Sequence, residues 1–312
     1  MRHFLSSDDI TVEEQRGLIT RAMELKELRG ALGRQLEGKS VGLIFEKPST
    51  RTRVSFETAI FEMGGNAIAL RSDELQLGRG ETLQDTGTVL SRYLAGIVIR
   101  TYGQDRLEGV AESATIPVIN ALSEMEHPCQ ALADVMTIAE RFDDLSRVNV
   151  AYLGDGNNVC HSLLLAGAKA GLAEIRVASP KGFEPIEPIV EKAAQIGEET
   201  GCKVQVTADP SAAAKGAHVL YTDVWTSMGQ EEERDARLKA FEGFQISGDR
   251  LMDAARNAIV MHCLPAHRGE EIAEEVIDGS HSVVWDQAEN RLHTQKALLE
   301  FVIGPPRRRA RK

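Results

Sequence analysis

Three hydroxyl groups and two guanidinium groups occur within five residues, in the segment Ser49-Thr50-Arg51-Thr52-Arg53. An apolar run at 41–45 precedes them and predicts a short buried strand, which Pro48 ends. The apolar spacing then becomes helical and predicts a helix over 52–64. The first turn of a helix favours an anion, because its backbone N–H groups are unpaired. Hydroxyls and forked arginine donors suit phosphate oxygens, so the segment predicts a phosphate-binding turn. A helix cap alone would explain only one hydroxyl.

Strand-like and helix-like segments alternate on both sides of this turn, which is typical of βαβ units around parallel sheets. Strands are predicted at 41–45, 66–70, 96–100, 117–120, 148–153, 174–178, 203–207, 219–223, 259–263 and 282–285. Helices are predicted from the Thr11 capping box to about Leu32 and at 52–64, 82–94, 104–114, 129–142, 158–171, 187–200, 231–241, 249–256 and 288–303.

The length of 312 residues is about twice that of a typical domain. We therefore predict an α/β fold of two doubly wound domains, each with a parallel sheet flanked by helices and joined by long helices. The predicted domains are 1–140 and 141–287, with helix 288–303 as a candidate to pack back on the first domain. Residues 304–312 form a basic tail that we expect to be disordered.

Polar residues follow most of the predicted strands. Ligands of open α/β sheets bind beyond the carboxyl ends of the strands, so these residues are the candidates for a site. They are Arg100, His127-Pro128-Cys129-Gln130, Gly154-Asp155-Gly156-Asn157-Asn158, Asp223 with Ser227-Met228-Gly229, and His262-Cys263-Leu264-Pro265. This density of Arg, His and Asp favours an enzyme over a non-enzymatic anion-binding or regulatory module, and one turnover measurement separates the two.

Charge and cysteine usage limit the classes of partner. The net charge is −11, and the last six residues carry five positive charges, which leaves −16 on the rest of the chain. An acidic body disfavours nucleic-acid binding and is compatible with a cationic substrate. The four cysteines lack disulfide-like and metal-ligand spacing, so we expect a reducing cytoplasm and no metal. No apolar run reaches membrane-spanning length.

Two glycine-rich segments resemble nucleotide-binding motifs, but their contexts are wrong. Gly33 to Ser40 matches the Walker A pattern, yet a predicted helix precedes it and a strand follows, the reverse of what that motif needs. Gly154-Asp155-Gly156 follows a strand, but Val159 stands where a dinucleotide-binding turn has its third glycine. The next strand also lacks an acidic residue at its end, so we expect no nicotinamide cofactor.

These motifs together resemble one family. Ser49 to Arg53, Arg100 and His127-Pro128-Cys129-Gln130 resemble the carbamoyl-phosphate site of the aspartate/ornithine carbamoyltransferases. Asp155 to Asn158, Asp223 to Gly229 and His262 to Pro265 are similar to the ornithine-using branch. The resemblance runs from about residue 3 to 303, and only the basic tail lies outside it.

The resemblance implies transfer of the carbamoyl group of carbamoyl phosphate to the side-chain amine of L-ornithine, giving L-citrulline and phosphate. It also implies no cofactor, and a homotrimer (or a multiple of trimers) with sites at subunit interfaces. Residues 1–140 would bind carbamoyl phosphate and residues 141–287 would bind ornithine. The implied carbamoyl-phosphate residues are Ser49, Thr50, Arg51, Thr52, Gln76 of a neighbouring subunit, Arg100, His127, Pro128, Cys129, Gln130, Cys263, Leu264 and Arg291. The implied ornithine residues are Asn158, Asp223, Ser227 and Met228, and the implied catalytic residues are Arg51, Arg100, His127, Asp223 and Cys263.

Other readings of these residues stay open at this point. Aspartate, putrescine or an acetylated ornithine are rival carbamoyl acceptors, and a phosphorolytic direction is compatible with the same residues. Cys263 could be a small buried hydrophobe, His127 a helix-cap histidine, and Asn158 the cap of its helix.

Overall fold

The computed structural model describes residues 2–29, 33–71, 80–226 and 231–304. The chain forms two compact units, Met1–Cys129 with Arg291–Lys312, and Gln130–Asn290. The predicted α/β fold with two parallel sheets flanked by helices is confirmed. Within the described ranges, no helix combines the length and the apolar character needed to cross a membrane.

The first unit contains a four-stranded sheet whose strands all pair in parallel. Its elements are α1 (Val12–Glu27), β1 (Ser40–Phe45), α2 (Thr50–Glu62), β2 (Asn66–Arg71), α3 (Leu83–Tyr93), β3 (Gly96–Arg100), α4 (Gln104–Ser113) and β4 (Val118–Leu122). The strand order is β2-β1-β3-β4. The chain thus moves to one side of β1 and then to the other, which places a topological switch point between β1 and β3.

The second unit contains a five-stranded parallel sheet. Its elements are α5 (Pro128–Ala139), which begins in the first unit, β5 (Asn149–Leu153), α6 (Asn158–Ala170), β6 (Glu174–Ala178), α7 (Glu187–Thr200), β7 (Lys203–Thr207), α8 (Pro210–Ala214), β8 (Val219–Thr222), α9 (Arg234–Ala240), α10 (Gly248–Asp253), β9 (Ile259–His262), α11 (Glu274–Ile277) and α12 (Val284–Ile303), which returns to the first unit. The order β7-β6-β5-β8-β9 places the switch point between β5 and β8.

The side chains of β5, the central strand of the second sheet, point alternately to its two faces, which explains why helices cover both faces. Val150 and Tyr152 enter the apolar cluster on one face, and Ala151 and Leu153 enter the cluster on the other. Successive strand side chains point to opposite faces, so a strand that is apolar throughout must be buried on both. This sandwich leaves the carboxyl ends of the strands as the edge where polar side chains can collect.

One predicted strand, 282–285, is wrong. Ser282 forms only an isolated bridge with Val260, and α12 begins at Val284 instead of 288. The apolar run predicted a strand, but the hydrogen bonds of Val283 differ from those of a strand. Its N–H donates to the carbonyl of Val260, and its carbonyl accepts from the N–H of Gln287, which is the first hydrogen bond of the helix. The first helix is also shorter than predicted, because it ends at Glu27.

Candidate active site

The predicted phosphate turn lies at the switch point of the first sheet, after β1. Helix α2 begins at Thr50, with Ser49 as its extended N-cap residue, and the Ser49 hydroxyl makes no capping hydrogen bond. Thr52 is buried and Arg51 is exposed. A helix start that does not use its own hydroxyl as a cap retains that hydroxyl and its N–H groups for an anion.

Arg53, by contrast, turns away from this turn. Its Nε donates to Glu57 Oε1 at 2.8 Å, one helical turn further along α2. Both side chains are substantially exposed, so the pair adds little stability. Only one of the two guanidinium groups in the motif is therefore left for a phosphate.

A second arginine reaches the turn from the other end of the chain. Arg291 on α12 is 4% exposed, and its Nη2 donates to Thr52 Oγ1 at 3.1 Å. The two residues are far apart in sequence, and the fold of the first unit brings them together. Phosphate oxygens match the fork of a guanidinium, so Arg291 is a further candidate donor at this turn.

His127, directly before α5, is 6% exposed and lies among these cationic groups. Burial lowers the pKa of His127 well below its usual range, and the charges of Arg291, Arg100 and Arg51 lower it further. The imidazole is therefore neutral at physiological pH. A neutral imidazole of such low basicity can donate one N–H to an oxygen but is a poor proton acceptor.

Pro128 and Cys129 form the first turn of α5, where proline is well accommodated because its missing N–H has no helical partner. The Cys129 thiol donates to the carbonyl of Asn120 at 3.3 Å. Burial raises the pKa of Cys129 to about 12, so the thiol is un-ionised. The thiol therefore belongs to the interior of the first unit.

The second switch point carries the acidic candidate. Asp223, directly after β8, is 6% exposed. Its Oδ2 accepts from Asn157 Nδ2 at 3.0 Å, and its Oδ1 accepts from Cys263 Sγ at 2.9 Å. Asn157 follows β5 and Cys263 follows β9, the two neighbours of β8 in the sheet. The strand order thus joins Asp223 and Cys263, two residues predicted from separate motifs.

The helix cap belongs to Asn157 and not to Asn158. Asn157 Oδ1 accepts from the N–H groups of Val159 and Cys160 at 2.9 and 3.2 Å, while Asn158 is the first residue of α6. The reading of Asn158 as a cap is therefore wrong. Asn157 was among the candidate residues, but its role as the cap was not predicted, although an Asn just before a helical apolar pattern is a normal cap signal.

Leu264 has a φ of +60°, which is uncommon for a residue with a branched side chain. Its N–H donates to His262 Nδ1 at 2.9 Å, so Nδ1 carries no proton and Nε2 must carry it. His262 Nε2 donates to Oε1 of the fully buried Glu271 at 3.0 Å. Glu271 thus fixes the ring that holds the turn after Cys263 in its strained backbone conformation.

Gln130 belongs to a buried network in the second unit that sequence reasoning did not predict. Gln130 Nε2 and Gln287 Nε2 both donate to Asp134 Oδ1 at 2.8 Å, and Tyr221 Oη donates to Asp134 Oδ2 at 3.0 Å. Gln287 Oε1 accepts from the N–H of His262 at 2.9 Å. The network links α5 to the end of β9, and no local motif marks Asp134, Tyr221 or Gln287.

Gln76, Ser227 and Met228 lie outside the described residues, as do residues 305–312 of the predicted tail. Their predicted roles stay predictions.

Two groups of side chains in the described ranges bring possible metal ligands within 4.8 Å of one another: Asp223 with His262 and Cys263, and His267 with Glu270 and Glu271. The sequence spacing predicted neither group. In the first group the thiol already donates to the carboxylate, and both ring nitrogens of His262 have protein partners.

The four cysteines differ in accessibility. Cys129, Cys160 and Cys202 are at most 5% exposed, and burial raises the pKa of all three thiols, whereas Cys263 is half-buried. We therefore expect iodoacetamide to modify about one thiol per native chain, with Cys263 as the target, because the reagent can reach its sulfur, whereas the other three thiols are buried and burial disfavours their reactive thiolates. Peptide mapping by mass spectrometry measures this. Cys263→Ser should remove the labelling, and early modification of Cys202 would contradict the expectation.

Both halves of the chain match known protein families and structures. Residues 2–140 match the carbamoyl-P binding domain of aspartate/ornithine carbamoyltransferase, and residues 146–302 match the Asp/Orn binding domain. An ornithine carbamoyltransferase of Acidothermus cellulolyticus is 58% identical over 304 residues, which cover 97% of each chain. The solved structure of ornithine carbamoyltransferase from Pyrococcus furiosus has 50% identity and a TM-score of 0.93, and the match covers 97% of each chain. Ornithine carbamoyltransferase from Gloeobacter violaceus gives a TM-score of 0.88 at 48% identity, covering 97% of this chain and all of that chain. Since these matches span nearly the whole sequence, the chain belongs to the aspartate/ornithine carbamoyltransferase family.

Proposed function

We propose that this chain transfers the carbamoyl group of carbamoyl phosphate to the side-chain amine of L-ornithine, forming L-citrulline and phosphate. The observation that carries the proposal is the cluster of Arg51, Arg100 and Arg291 around the neutral His127, at the first turn of α2. Such a cluster suits a doubly charged acyl phosphate. The curated relatives named ornithine carbamoyltransferase support the same reaction.

The reaction builds negative charge on the carbonyl oxygen and then on the leaving phosphate, and cationic and hydrogen-bonding groups can stabilise both. Attack by the amine forms the C–N bond and moves electrons onto the carbonyl oxygen. The C–O bond to phosphate then breaks, and the charge passes to the leaving phosphate. Fixed donors aimed at such oxygens are usually the largest catalytic contribution. We assign Arg100, His127 and Thr52 to the carbonyl oxygen, and Arg51 with Ser49, Thr50 and the N–H groups of α2 to the phosphate. Arg291 holds Thr52, and Gln130, Leu264 and the backbone of Pro128 and Cys129 complete the carbamoyl side.

We assign the amino-acid substrate to the second unit, residues 130–290. Asp223 pairs with the α-ammonium group in a charge-assisted hydrogen bond, with Asn158, Ser227 and Met228 around it. A carboxylate at this position repels aspartate, whose side chain is anionic. Putrescine lacks the α-carboxylate that the remaining ligands would hold. Ornithine is the acceptor that satisfies both requirements.

The ornithine side-chain amine must lose a proton before it attacks. With an ordinary pKa near ~10.4, its neutral fraction rises about tenfold per pH unit. We propose that Cys263 lies near this amine and helps to place its neutral form, while Asp223, which accepts from the Cys263 thiol, pairs with the α-ammonium group. The rate with ornithine should therefore climb above about pH 7.

Protonation of His127 should add no inflection to the pH–rate profile near neutrality, because the pKa of His127 is held well below its usual range. Initial rates of the wild-type enzyme and of His127→Asn over about pH 6 to 9 test this. We expect the variant to be slower with a profile of unchanged shape. A flat wild-type profile, or an inflection near neutrality that disappears in the variant, would contradict the assignment.

A citrulline assay tests the proposed function directly. Purified enzyme is given carbamoyl phosphate with L-ornithine, L-aspartate, putrescine or N-acetylornithine, and the carbamoylated products are separated by mass spectrometry. We expect product with ornithine and phosphate release in equal amount. Carbamoylation of another amine in preference to ornithine, or phosphate release without citrulline, would refute the proposal.

We also propose a homotrimer, or a multiple of trimers, in which Gln76 reaches the site of a neighbouring subunit. Exposed apolar side chains on the first unit support this. Val54 and Phe61 are 55% and 68% exposed and lie two turns apart on one face of α2, and Tyr93 on α3 is 75% exposed. Large apolar side chains exposed to this degree are candidates for subunit contacts.

Light scattering after size-exclusion chromatography measures the assembly. Wild-type protein should have the mass of three chains or a multiple of three, and Phe61→Glu should shift it toward the monomer, because a buried unpaired charge is costly. Met252→Glu is the matched control, since Met252 is 78% exposed on α10 of the second unit. A monomeric wild-type protein, or equal effects of both substitutions, would refute this assembly.

We propose a cytoplasmic location and no cofactor. The four cysteines are free, as is usual where thiols stay reduced. The proposed chemistry needs only the cationic and hydrogen-bonding groups named above.

A further inference from the structure

Arg237, on α9, is a buried arginine that the proposed reaction does not use. It is 7% exposed, and its guanidinium lies 5.0 Å from the centre of the Phe183 ring. Its Nη1 donates to Asp155 Oδ2 at 2.8 Å and to the carbonyl oxygen of Trp225 at 3.0 Å. Its Nε donates to Glu233 Oε2 at 3.1 Å. Burying a guanidinium is costly, and these bonds offset the cost.

The two acceptors of Nη1 belong to the two segments that meet at the switch point of the second sheet. Asp155 is two residues after β5, and Trp225 is three residues after β8. Asp223 lies between β8 and Trp225, and Asn157, whose amide holds Asp223, lies two residues after Asp155. Arg237 thus ties together the two chain segments that carry the Asn157–Asp223 contact.

Each segment is also held rigidly at its contact with Arg237. The carbonyl of Asp155 accepts from Tyr152 Oη at 3.0 Å and from the N–H of Asn157 at 2.7 Å. The Trp225 ring is stacked on Phe241, with ring centres 5.4 Å apart. A shift at the guanidinium would therefore be passed through short, stiff links to Asp223.

Arg237 also balances charge. Burial raises the pKa of the Asp155 carboxyl group, Arg237 opposes that shift, and the charge of Asp223 adds to it. Asp155 and Asp223 are thus two buried carboxylates close enough to interact, and Arg237 neutralises the first of them. By pairing with Asp155, Arg237 leaves Asp223 as the acidic group that a substrate ammonium meets.

We infer that Arg237 is a positioning residue for the amino-acid substrate, which sets the place of Asp223 through Asp155 and Trp225 without touching the reacting atoms. This inference rests on the proposed function. It predicts a selective effect: loss of Arg237 weakens binding of ornithine and leaves binding of carbamoyl phosphate unchanged, because the residues that link Arg237 to Asp223 are not among those assigned to carbamoyl phosphate.

The test compares Arg237→Met and Arg237→Lys with a matched buried arginine. Arg176, on β6, is 9% exposed, donates to the carbonyl oxygens of Ala212 and Lys215, and pairs with Glu174, and none of these three partners is assigned to the site. Arg176→Met therefore removes the same chemical group from a purely structural position. KM for each substrate, kcat and the thermal midpoint are measured for all three variants and the wild type.

We expect Arg237→Met to raise KM for ornithine about tenfold or more, the effect of losing a hydrogen bond to a charged group, with KM for carbamoyl phosphate changed less than about threefold. Arg237→Lys should recover part of the loss, because an ammonium keeps the charge but not the fork. Arg176→Met should lower the thermal midpoint and change neither KM. An unchanged KM for ornithine in Arg237→Met, equal changes in both KM values, or the same selective change in Arg176→Met would overturn the inference. If Arg237→Met does not fold, Arg237→Lys is judged by the same criteria.

A binding measurement separates this inference from the proposed function. L-2-Aminopentanoate has the α-amino acid group of ornithine but no side-chain amine, so it binds without reacting. Calorimetry in the presence of carbamoyl phosphate then gives its dissociation constant without turnover. Citrulline-negative wild-type protein would refute the proposed function alone. Equal affinity for 2-aminopentanoate in wild type and Arg237→Met would refute the positioning role alone.

Discussion

Replacing Arg51 by alanine is expected to lower kcat/KM for carbamoyl phosphate by about 10²–10³-fold, the usual cost of removing one donor from a developing negative charge. Arg51 is exposed on the first turn of α2, and its charge adds to those that depress the pKa of His127. Its side chain contributes little to packing, so the thermal midpoint should change little, since exposed substitutions shift stability by at most about 0.5 kcal/mol. Steady-state kinetics and thermal unfolding of the purified variant measure both quantities.

Arg53→Ala is the matched control for Arg51→Ala. Arg53 is exposed in the same turn and carries the same charge, but it is paired with Glu57. Its loss should change kcat/KM by less than about threefold, because an exposed ion pair contributes roughly 0–1 kcal/mol. Equal effects of the two substitutions would mean that net positive charge matters and the position of the guanidinium does not. Near-wild-type turnover of Arg51→Ala would remove Arg51 from the mechanism.

Replacing Asp223 by asparagine is expected to lower kcat/KM for ornithine by at least about 100-fold, near the upper range for a hydrogen bond to a charged group. Asp223 accepts one hydrogen bond on each carboxylate oxygen, from Asn157 and from Cys263. An asparagine offers one oxygen and one NH₂ group, so its NH₂ group must face either the donating amide of Asn157 or the thiol sulfur of Cys263, which is only a weak acceptor. The substitution therefore removes the charge and disturbs the geometry, and KM for each substrate is the measurement that shows which substrate is affected.

A second substitution separates these two effects. In the double variant Asp223→Asn with Asn157→Asp, the carboxylate at 157 can still cap α6 and accept from the amide at 223. We expect the thermal midpoint to recover while KM for ornithine stays high, because the negative charge has moved away from the substrate. Recovery of both would show that the hydrogen-bond pattern matters more than the position of the charge. If only KM for carbamoyl phosphate changed, Asp223 would contact carbamoyl phosphate and not ornithine, and the assignment would be wrong.

Much of the site could be predicted because its chemistry lies in short segments that follow strands. The Ser49 to Arg53 turn and the His127 to Gln130 segment each combine a local element boundary with side chains of clear function. Periodicity locates the boundary, and residue type gives the chemistry. The one strand predicted in error, 282–285, is an apolar run of the kind that periodicity alone does not assign, and contacts with β9 decided its conformation.

Residues that act through distant partners could not be predicted in the same way. Arg291 donates to Thr52, which is 239 residues away in the sequence. Arg237, Asp134 and Gln287 lie in helices whose sequences contain no recognisable motif. Arg291 was assigned only through the family resemblance. Their roles follow from which helix packs against which strand end, and a linear pattern does not contain that information.

The amino-acid sequence by itself determined the α/β class, the two sheets and the residues at the strand ends, because local periodicity and the chemistry of a helix start act over a few residues. Only the tertiary structure decided which strand ends are neighbours. The orders β2-β1-β3-β4 and β7-β6-β5-β8-β9 place the phosphate turn beside Arg100 and Asp223 between Asn157 and Cys263. Strand order depends on long-range packing of the crossover helices, so the contacts that make these residues a site appear only once the sheets have formed.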